Sequence, residues 1–177
     1  GDKKVADLLM RLVDFFRISV KVDRQMVALD DELELLEAYM DLMCYRYPNL
    51  HCEYDIDPDL GGSLVPNFIL QPLVENSLLH GYRGEVVITA KKEGNAIEIL
   101  IRDSGSGFTD GRKDIIDEML LHYDKKQAKL EGNSIGILNV QKRIKLLCGP
   151  KYGLSYMENE TGGVTARLLL PHEEDAK

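Results

Sequence analysis

Several features that would narrow the function of a protein are missing from this chain or rare in it. Its three cysteines are odd in number and lack Cys-x-x-Cys spacing, which argues against a metal or redox site and predicts buried free thiols in a reducing compartment. No run of about 18 apolar residues is present, so no membrane-spanning helix is expected, and the N-terminus does not resemble a signal peptide. Basic residues are scattered and the net charge is −8, which argues against a nucleic-acid partner.

What the chain does contain is the composition of an ordinary globular protein. Its 177 residues, 44% hydrophobic and 29% charged, are enough for one core and an appended helical piece. A leading Gly1 in place of an initiating Met indicates a piece of a longer protein. With so acidic a chain, a bound nucleotide would depend on magnesium, backbone N–H groups and a few local cations.

Two amphipathic segments at the N-terminus predict a helical hairpin. Apolar residues recur at helical spacing over residues 2–22 and again from Leu33 until Pro48, with Asp30 as the expected N-cap of the second helix. The two helices could simply pack on the domain that follows. They could also be the end of a dimerisation stalk and its connection, and both interpretations stay open.

The rest of the chain predicts an α+β fold in which a single sheet is covered on one face by helices. Pro66 is expected to open a helix that runs to about His80, with a kink or restart at Pro72. A polar segment over residues 108–131 predicts a mobile region with a short helix, and a further helix is expected over 135–147. The predicted strands are residues 51–56, 85–92, 96–102, 152–157 and 164–170.

A pair of polar residues on the predicted helix before His80 could bind a metal and phosphate. Asn76 and His80 are four residues apart and therefore share one helix face. An Asn carbonyl oxygen is a neutral ligand suited to Mg²⁺, which often shares phosphate oxygens and waters. His80 could donate to a phosphate oxygen, and Glu75 could accept a proton from an attacking group. For Asn76 taken alone, a helix whose polar side simply faces solvent is the favoured interpretation.

Asp103 ends an apolar strand and is followed by Gly105 and Gly107. A carboxylate at a strand end can accept a hydrogen bond from the exocyclic amine of adenine, which guanine lacks at that position. The two glycines remove Cβ atoms where the backbone would lie against a flat ring. An ordinary Asp-Gly turn is the other interpretation of this segment taken alone.

A second glycine segment, residues 132–136, precedes a predicted helix. Its free N–H groups could bind anionic oxygens, assisted by the helix dipole. It is neither a Walker loop, because no Gly-Lys-Ser/Thr follows, nor a Rossmann fingerprint, because no strand directly precedes it. A plain capping loop is the alternative. With Gly162-Gly163 before the last strand, the ordered motifs predict a pocket for adenine, magnesium and a triphosphate.

These motifs resemble those of sensor histidine kinases of the LytS/YehU type, whose ATP-binding domain belongs to the GHKL group with gyrase, MutL and the large heat-shock chaperone. Residues 70–77, Leu-Gln-Pro-Leu-Val-Glu-Asn-Ser, resemble the N box, and residues 103–107 the first glycine box. Residues 132–136, with Asn139, Val140 and Arg143, resemble the second, and residues 162–165 the closing strand. Residues 27–33 and 39–42 resemble the segment that links the phosphoacceptor helices to the ATP domain.

The resemblance implies a two-layer α/β sandwich, the GHKL or Bergerat ATP-binding fold, with a mixed sheet, helices on one face and two preceding helices. Residues 1–48 would be the remnant of the dimerisation and phosphoacceptor region with its linker. Residues 49–172 would be the catalytic domain and 173–177 a disordered tail. The parent protein would be a membrane-anchored homodimer with this region in the cytoplasm.

The resemblance also assigns roles. Asn76 would bind Mg²⁺, Glu75 would assist the attacking group and His80 would face the phosphates of ATP, while Asp103 would bind adenine with Gly105 and Gly107 beside the ring. Residues 108–131 would be the nucleotide lid. The remaining expected nucleotide-binding residues are Gly132, Ser134, Ile135, Gly136, Ile137 and Thr165. Such kinases transfer the γ-phosphate to a histidine of the phosphoacceptor region, then to the receiver domain of a response regulator.

Three departures from the family pattern leave alternatives open. Leu79 stands where many relatives carry a basic residue, Ser134 replaces a glycine and Val164 replaces a usual Thr. The phosphoacceptor motif itself is absent from the chain. A degenerate module that binds nucleotide or partners without kinase activity is therefore the alternative. A GHKL serine kinase of the anti-sigma type ranks lowest, because it would lack the linker pattern over residues 30–47.

Overall fold

A five-stranded mixed sheet with helices packed on one face organises the molecule. The structure is a computed structural model, and it describes residues 2–21, 24–80, 84–109, 111–124, 134–160 and 162–172. The helices within these ranges are α1 (Asp2–Lys21), α2 (Leu29–Arg46), α3 (Leu70–His80), α4 (Arg112–Leu121) and α5 (Ser134–Cys148). The strands are β1 (Met26–Ala28), β2 (His51–Ile56), β3 (Leu64–Pro66), β4 (Glu85–Glu93), β5 (Ala96–Asp103), β6 (Gly153–Glu158) and β7 (Val164–Pro171).

The main sheet has the strand order β2-β4-β5-β7-β6, in which β2 and β4 run parallel and the other neighbours antiparallel. Alternate residues of the central strand β5 are buried against the helices, and the others face the open side. On the open side Arg167 pairs with Glu98 and Glu93, and Lys91 pairs with Asp55. The predicted α+β class, with a mixed sheet and helices on one face, is confirmed.

Helix α2 shares its core with the sheet domain. Leu29 and Leu36 have no exposed surface and belong to the same hydrophobic cluster as the central strand β5. Strand β1, which leads into α2, pairs with β3 in a separate two-stranded sheet that the sequence did not predict. We find no division of this core at residue 48, and the predicted boundary between residues 48 and 49 stays a prediction.

Helix α1 packs on α2 as the second arm of the predicted hairpin. Arg11 of α1 donates to Asp41 of α2 at 2.7 Å, and the rings of Phe15 and Tyr39 lie 6.2 Å apart. The opposite side of α1 leaves apolar side chains more than half exposed, namely Val5, Leu9, Met10, Val13 and Phe16. None of the helices in the described ranges is both long and apolar enough to cross a membrane.

Two local expectations were wrong. Pro66 ends strand β3 instead of opening a helix, and α3 begins at Leu70. Pro72 therefore lies in the first helical turn, where its missing N–H has no intrahelical partner to lose. Asp30 is not the N-cap of α2, since Ala28 occupies that position with no side-chain hydrogen bond. The first N–H groups of α2 instead donate to the carbonyls of Ser63 and Gly61.

The three cysteines are free, as expected, but they are not all buried. Cys44 is exposed, whereas Cys52 and Cys148 are partly buried. Burial raises the pKa of the Cys148 thiol to about 11, so it is almost wholly protonated at neutral pH. The expected disordered tail at 173–177 lies outside the described residues, as do positions 110 and 125–131 of the expected mobile segment at 108–131. Helix α4 is the short helix expected in that segment.

We predict that Leu36→Ala in α2 destabilises the whole chain by about 2–5 kcal/mol, because it removes a side chain with no exposed surface from the shared core. Leu9→Ala in α1 is the matched control, since Leu9 is 56% exposed and should cost far less. Urea unfolding followed by circular dichroism measures both variants. A separate early transition for α2, with the sheet domain unaffected by Leu36→Ala, would contradict a shared core.

Candidate nucleotide site

A cavity of about 160 Å³ opens at the end of the helical layer, where β5 finishes. Residues from α3, the end of β5 and its following loop, α4, α5, β6 and β7 line it. The lining residues are Asn76, Ser77, Asp103, Ser106, Gly107, Phe108, Thr109, Arg112, Ile116, Ile137, Tyr156 and Val164. Asn76 and Asp103, which lie 27 positions apart in the sequence, thus converge on one cavity, as the motif order predicted.

Asp103 is the buried carboxylate of this cavity. It is the last residue of β5 and only 5% exposed. Its Oδ1 accepts from the backbone N–H of Gly105 at 2.9 Å and from that of Val164 at 3.0 Å. These two bonds fix the carboxylate, and no described residue donates to Oδ2. The side chain is therefore oriented to accept a further hydrogen bond from a donor inside the cavity.

The hairpin between β6 and β7 supports Asp103 from behind. Gly163 has a φ of +87°, and a Cβ built on it would stand 2.2 Å from the carbonyl oxygen of Asp103. Only glycine allows this approach together with this backbone conformation. Asn159 in the same hairpin donates its Nδ2 to that carbonyl at 3.0 Å, and Thr165 donates its hydroxyl to Oδ1 of Asn159.

Asn76 and Tyr156 bring buried polar atoms without partners to the cavity wall. Neither the Asn76 Nδ2 nor the Tyr156 hydroxyl has a hydrogen bond to any described residue, although both atoms are buried. Burial raises the pKa of Tyr156; the Asn76 side chain, close to the hydroxyl but outside normal hydrogen-bond geometry, lowers that pKa, and the Asp103 charge raises it. Because the two side chains adjoin each other, they form one polar position in the wall, at which a bound molecule can complete their hydrogen bonding.

The remaining walls combine an apolar surface with one cation. Phe108 and Tyr156 meet edge to face with ring centroids 6.1 Å apart, and Ile116 and Ile137 continue the apolar lining. Arg112, at the start of α4, is the basic residue among those described at the wall. A largely apolar cavity with a fixed carboxylate in its wall can hold a heteroaromatic ring that carries an exposed N–H donor.

Some predicted site residues do not reach this wall. Glu75 lies on α3 beside Asn76 but accepts from Gln71 Nε2 at 3.0 Å, and Thr165 binds Asn159. Gly105 is buried behind the wall, where its N–H binds Asp103.

Other predicted residues belong to the start of α5 or lie outside the description. Ile137 lines the cavity, whereas Ile135 is exposed and Gly136 faces Pro72 of α3. His80 ends α3 and Ser134 begins α5, but their side chains are outside the described part of the chain, as is Gly132 altogether.

The sequence reasoning missed four functional candidates at or behind the wall: Arg112, Phe108, Tyr156 and Asn159. Arg112 and Phe108 follow the first glycine motif within a segment that was treated as a lid, and no local pattern distinguished them. Tyr156 lies two residues after Leu154 on β6 and shares its buried face, and this spacing indicates only an inward-facing strand position. Asn159 next to a Gly-Gly turn was the one available signal, because Asn is common in turns that its side chain stabilises.

The described side chains at the cavity can hold Mg²⁺ only if a bound ligand supplies further oxygen atoms to the metal. Among the described residues, no group of three or more His, Cys, Asp or Glu side chains is arranged to hold a metal ion. The Asn76 amide offers one neutral oxygen when it rotates to face the cavity. Mg²⁺ is commonly held by one or two protein oxygens with phosphate oxygens and waters completing the shell. The residues therefore fit a metal that arrives bound to a polyphosphate.

We predict that Gly163→Ala lowers the free energy of unfolding by about 1–3 kcal/mol more than Gly94→Ala does. Both glycines have positive φ, so both variants strain the backbone, but a Cβ at Gly94 meets nothing within 4 Å, whereas one at Gly163 meets Asp103. Urea denaturation of the two variants gives the difference. Equal losses would mean that the contact with Asp103 relaxes without cost.

Comparison with known proteins identifies the family to which the chain belongs. The family model described as histidine kinase-, DNA gyrase B- and HSP90-like ATPase matches residues 65–174, and the model described as histidine kinase matches residues 1–50. The sensor protein LytS of Oceanobacillus iheyensis is 30% identical over 182 residues, covering 99% of this chain and 30% of that protein. The sensor histidine kinase/phosphatase LytS of Staphylococcus aureus is 28% identical over 187 residues, covering 98% and 30%.

Solved structures show the same fold at low sequence identity. The catalytic domain of histidine kinase ThkA superposes with a TM-score of 0.61 at 15% identity and covers 83% of this chain and 94% of its own. The ATP binding domain of PrrB from Mycobacterium tuberculosis gives 0.57 at 21% identity, covering 83% and 96%. This chain spans about 30% of the length of the curated relatives named above. It belongs to the family of histidine kinase-, DNA gyrase B- and HSP90-like ATPases, and its resemblance to sensor histidine kinases of the LytS type is confirmed.

Proposed function

We propose that this chain is the ATP-binding catalytic region of a two-component sensor histidine kinase. Membership of the ATPase family implies that it binds ATP. The observation that carries the proposal is the cavity in which the fixed carboxylate of Asp103 and the unpartnered amide of Asn76 meet over apolar walls. The γ-phosphate would pass to a histidine that lies N-terminal to residue 1 in the full-length protein, and then to an aspartate of a response regulator.

Adenine would enter the cavity with its amine on Asp103. The carboxylate Oδ2 accepts the exocyclic N–H, while Oδ1 stays bound to the N–H groups of Gly105 and Val164. Gly107 lines the cavity and leaves room for the ring, and Phe108 and Ile137 cover it. A cavity of about 160 Å³ is smaller than the roughly 300–1,000 Å³ usual for whole ligand sites, so the phosphates would extend beyond it.

The polar face of α3 would hold the phosphate end of the nucleotide. Asn76 would bind Mg²⁺ that ATP brings, and His80 would donate to a phosphate oxygen. Magnesium, when bound, offsets phosphate charge in a chain whose own net charge is −8. Glu75, held by Gln71, would accept the proton of the attacking group.

The N-terminus of α5 would bind the triphosphate through its backbone. Ser134, Ile135 and Gly136 form its first turn, and Gly132 precedes it. The free N–H groups of a helix start and its dipole favour anionic oxygens. Arg112 adds a positive charge at the cavity wall.

Partners are proposed on the same basis. The phosphoacceptor region of the full-length kinase and a receiver domain would be the protein substrates, in a parent anchored in the membrane. A homodimer is proposed through α1, whose exposed apolar side resembles half of an interface between helices. Residues 1–48 would then continue that dimerisation region, and residues 49–172 would be the catalytic domain.

We predict that Asp103→Asn weakens Mg-ATP binding by about 10- to 150-fold, because a hydrogen bond to a charged group contributes about 1.5–3 kcal/mol. The substituted amide can still accept the two backbone N–H groups but presents a donor to the adenine amine. Affinity for Mg-ITP, whose base carries an oxygen there, should fall less than affinity for Mg-ATP. Calorimetry on the 177-residue chain measures both affinities.

The matched control is Asp59→Asn, which changes the same charge at an exposed position that does not line the cavity. It should bind both nucleotides as the unchanged chain does. No detectable binding of Mg-ATP by the unchanged chain up to millimolar concentrations would contradict the proposed function.

Phosphoryl transfer to histidine is tested by mixing the chain with ATP labelled in its γ-phosphate and a separately prepared phosphoacceptor segment of the full-length protein. We expect phosphohistidine on the segment and none on the chain alone, and Asn76→Ala should abolish the transfer. If the chain binds Mg-ATP but never labels the segment, it is instead a nucleotide-binding module without kinase activity, the alternative that Leu79 and Ser134 raise.

A further inference from the structure

Helix α3 carries Asn76 but cannot cap its own N-terminus. Its first residue is Leu70, and the residue before it, Ile69, is apolar and has no exposed surface. The first N–H groups of a helix lack intrahelical partners, and leaving them buried and unpaired is costly. Pro72 removes one of these donors because it has no N–H.

A carboxylate from α2 satisfies the start of α3. Glu32, only 3% exposed, accepts from the N–H of Phe68 at 2.5 Å through Oε1. Its Oε2 accepts from the N–H of Ile69 at 3.0 Å and of Leu70 at 3.2 Å. The negative charge also lies where the helix dipole is positive. Burial raises the pKa of Glu32, and these N–H groups and the Arg143 charge oppose that shift.

The turn that Glu32 holds is also bound from two further directions. The side chain of Asn67 donates to the carbonyl of Arg24 at 2.5 Å, and its N–H donates to that of Gln25 at 3.0 Å, in the link between α1 and α2. Arg143 of α5 donates to the carbonyl of Asn67. The link between α1 and α2 therefore meets α3 and α5, two helices that line the cavity, at this one turn.

We propose that Glu32 is a positioning residue for the nucleotide site, which sets the location of Asn76 by fixing the N-terminus of α3 to α2. Asn76 lies six residues after Leu70, about 9 Å along an uninterrupted helix, so a shift of the helix start moves it directly. Asp103 stands on β5 and is fixed by its own backbone partners, independently of Glu32. This inference rests on the proposed function.

The expected consequence is selective. Magnesium strengthens ATP binding through Asn76, so the ratio of the ATP dissociation constants without and with Mg²⁺ measures how well Asn76 is placed. In Glu32→Gln, where an NH2 group replaces one acceptor oxygen and faces at least one backbone N–H, we expect this ratio to fall by about tenfold. Binding of ATP without magnesium, which depends on Asp103, should change little. A purely structural loss of folded protein would weaken both to the same extent.

The experiment uses calorimetry on the full chain with ATP in EDTA and with ATP in excess Mg²⁺. Glu34→Gln is the matched control, since it changes the same charge at an exposed position two residues along α2. Asn76→Ala gives the ratio expected when the amide is absent. An unchanged ratio in Glu32→Gln, in a chain that binds Mg-ATP, contradicts the inference alone, whereas failure of the unchanged chain to bind ATP contradicts the proposed function and the inference with it.

Hydrogen exchange of the unchanged chain provides a second measurement that does not depend on a variant folding. If nucleotide and cap are coupled, Mg-ATP should slow the exchange of the Phe68, Ile69 and Leu70 amides, although none of these residues lines the cavity. Ile97 and Ile99 in the centre of β5 provide the reference amides. Slowing confined to cavity residues would contradict the coupling.

Discussion

Three backbone N–H groups at the start of α3 need an acceptor, and the carboxylate of Glu32 is the group that supplies it. The fold around the nucleotide site depends on this interaction, because an apolar, buried helix start would otherwise leave donors unpaired away from water. The consequence is that α2 cannot be separated from the sheet domain as a passive linker. Its carboxylate and its buried leucines both belong to the interior that α3 needs.

A second constraint fixes the orientation of Asp103 in the cavity wall. Asp103 keeps its orientation because two backbone N–H groups bind one of its carboxylate oxygens. The backbone of Gly163 packs so closely against the Asp103 carbonyl that position 163 has no space for a side chain. The two polar residues proposed to bind the nucleotide are thus positioned by different means. Asn76 is carried by a helix that is held at its start, and Asp103 is held by the strand end and hairpin around it.

This division matches the two parts of a nucleotide. The base is a rigid, flat group that a fixed carboxylate and apolar walls can select, whereas a charged polyphosphate with its metal needs donors, dipoles and exposed space. Among the described residues that line the cavity, Arg112 is the one with a positive charge. Binding of phosphate would therefore depend strongly on magnesium and on the helix starts, which is consistent with the metal-dependent behaviour proposed for Asn76.

Local patterns in the sequence were sufficient to predict both amphipathic N-terminal helices, the strands of the main sheet and the order of the nucleotide motifs, because helical and strand periodicities depend on near neighbours. They were not sufficient where long-range contacts decide. Pro66 reads as a helix start, yet pairing with β1 makes it the end of a strand. The cap of α3 comes from Glu32, and the convergence of Asn76 with Asp103, Arg112 and Tyr156 arises only when separate elements pack together. The sequence by itself determined which chemical groups are available and on which elements they lie, and only the tertiary structure decided which of them meet, since burial and pairing depend on partners distant in the chain.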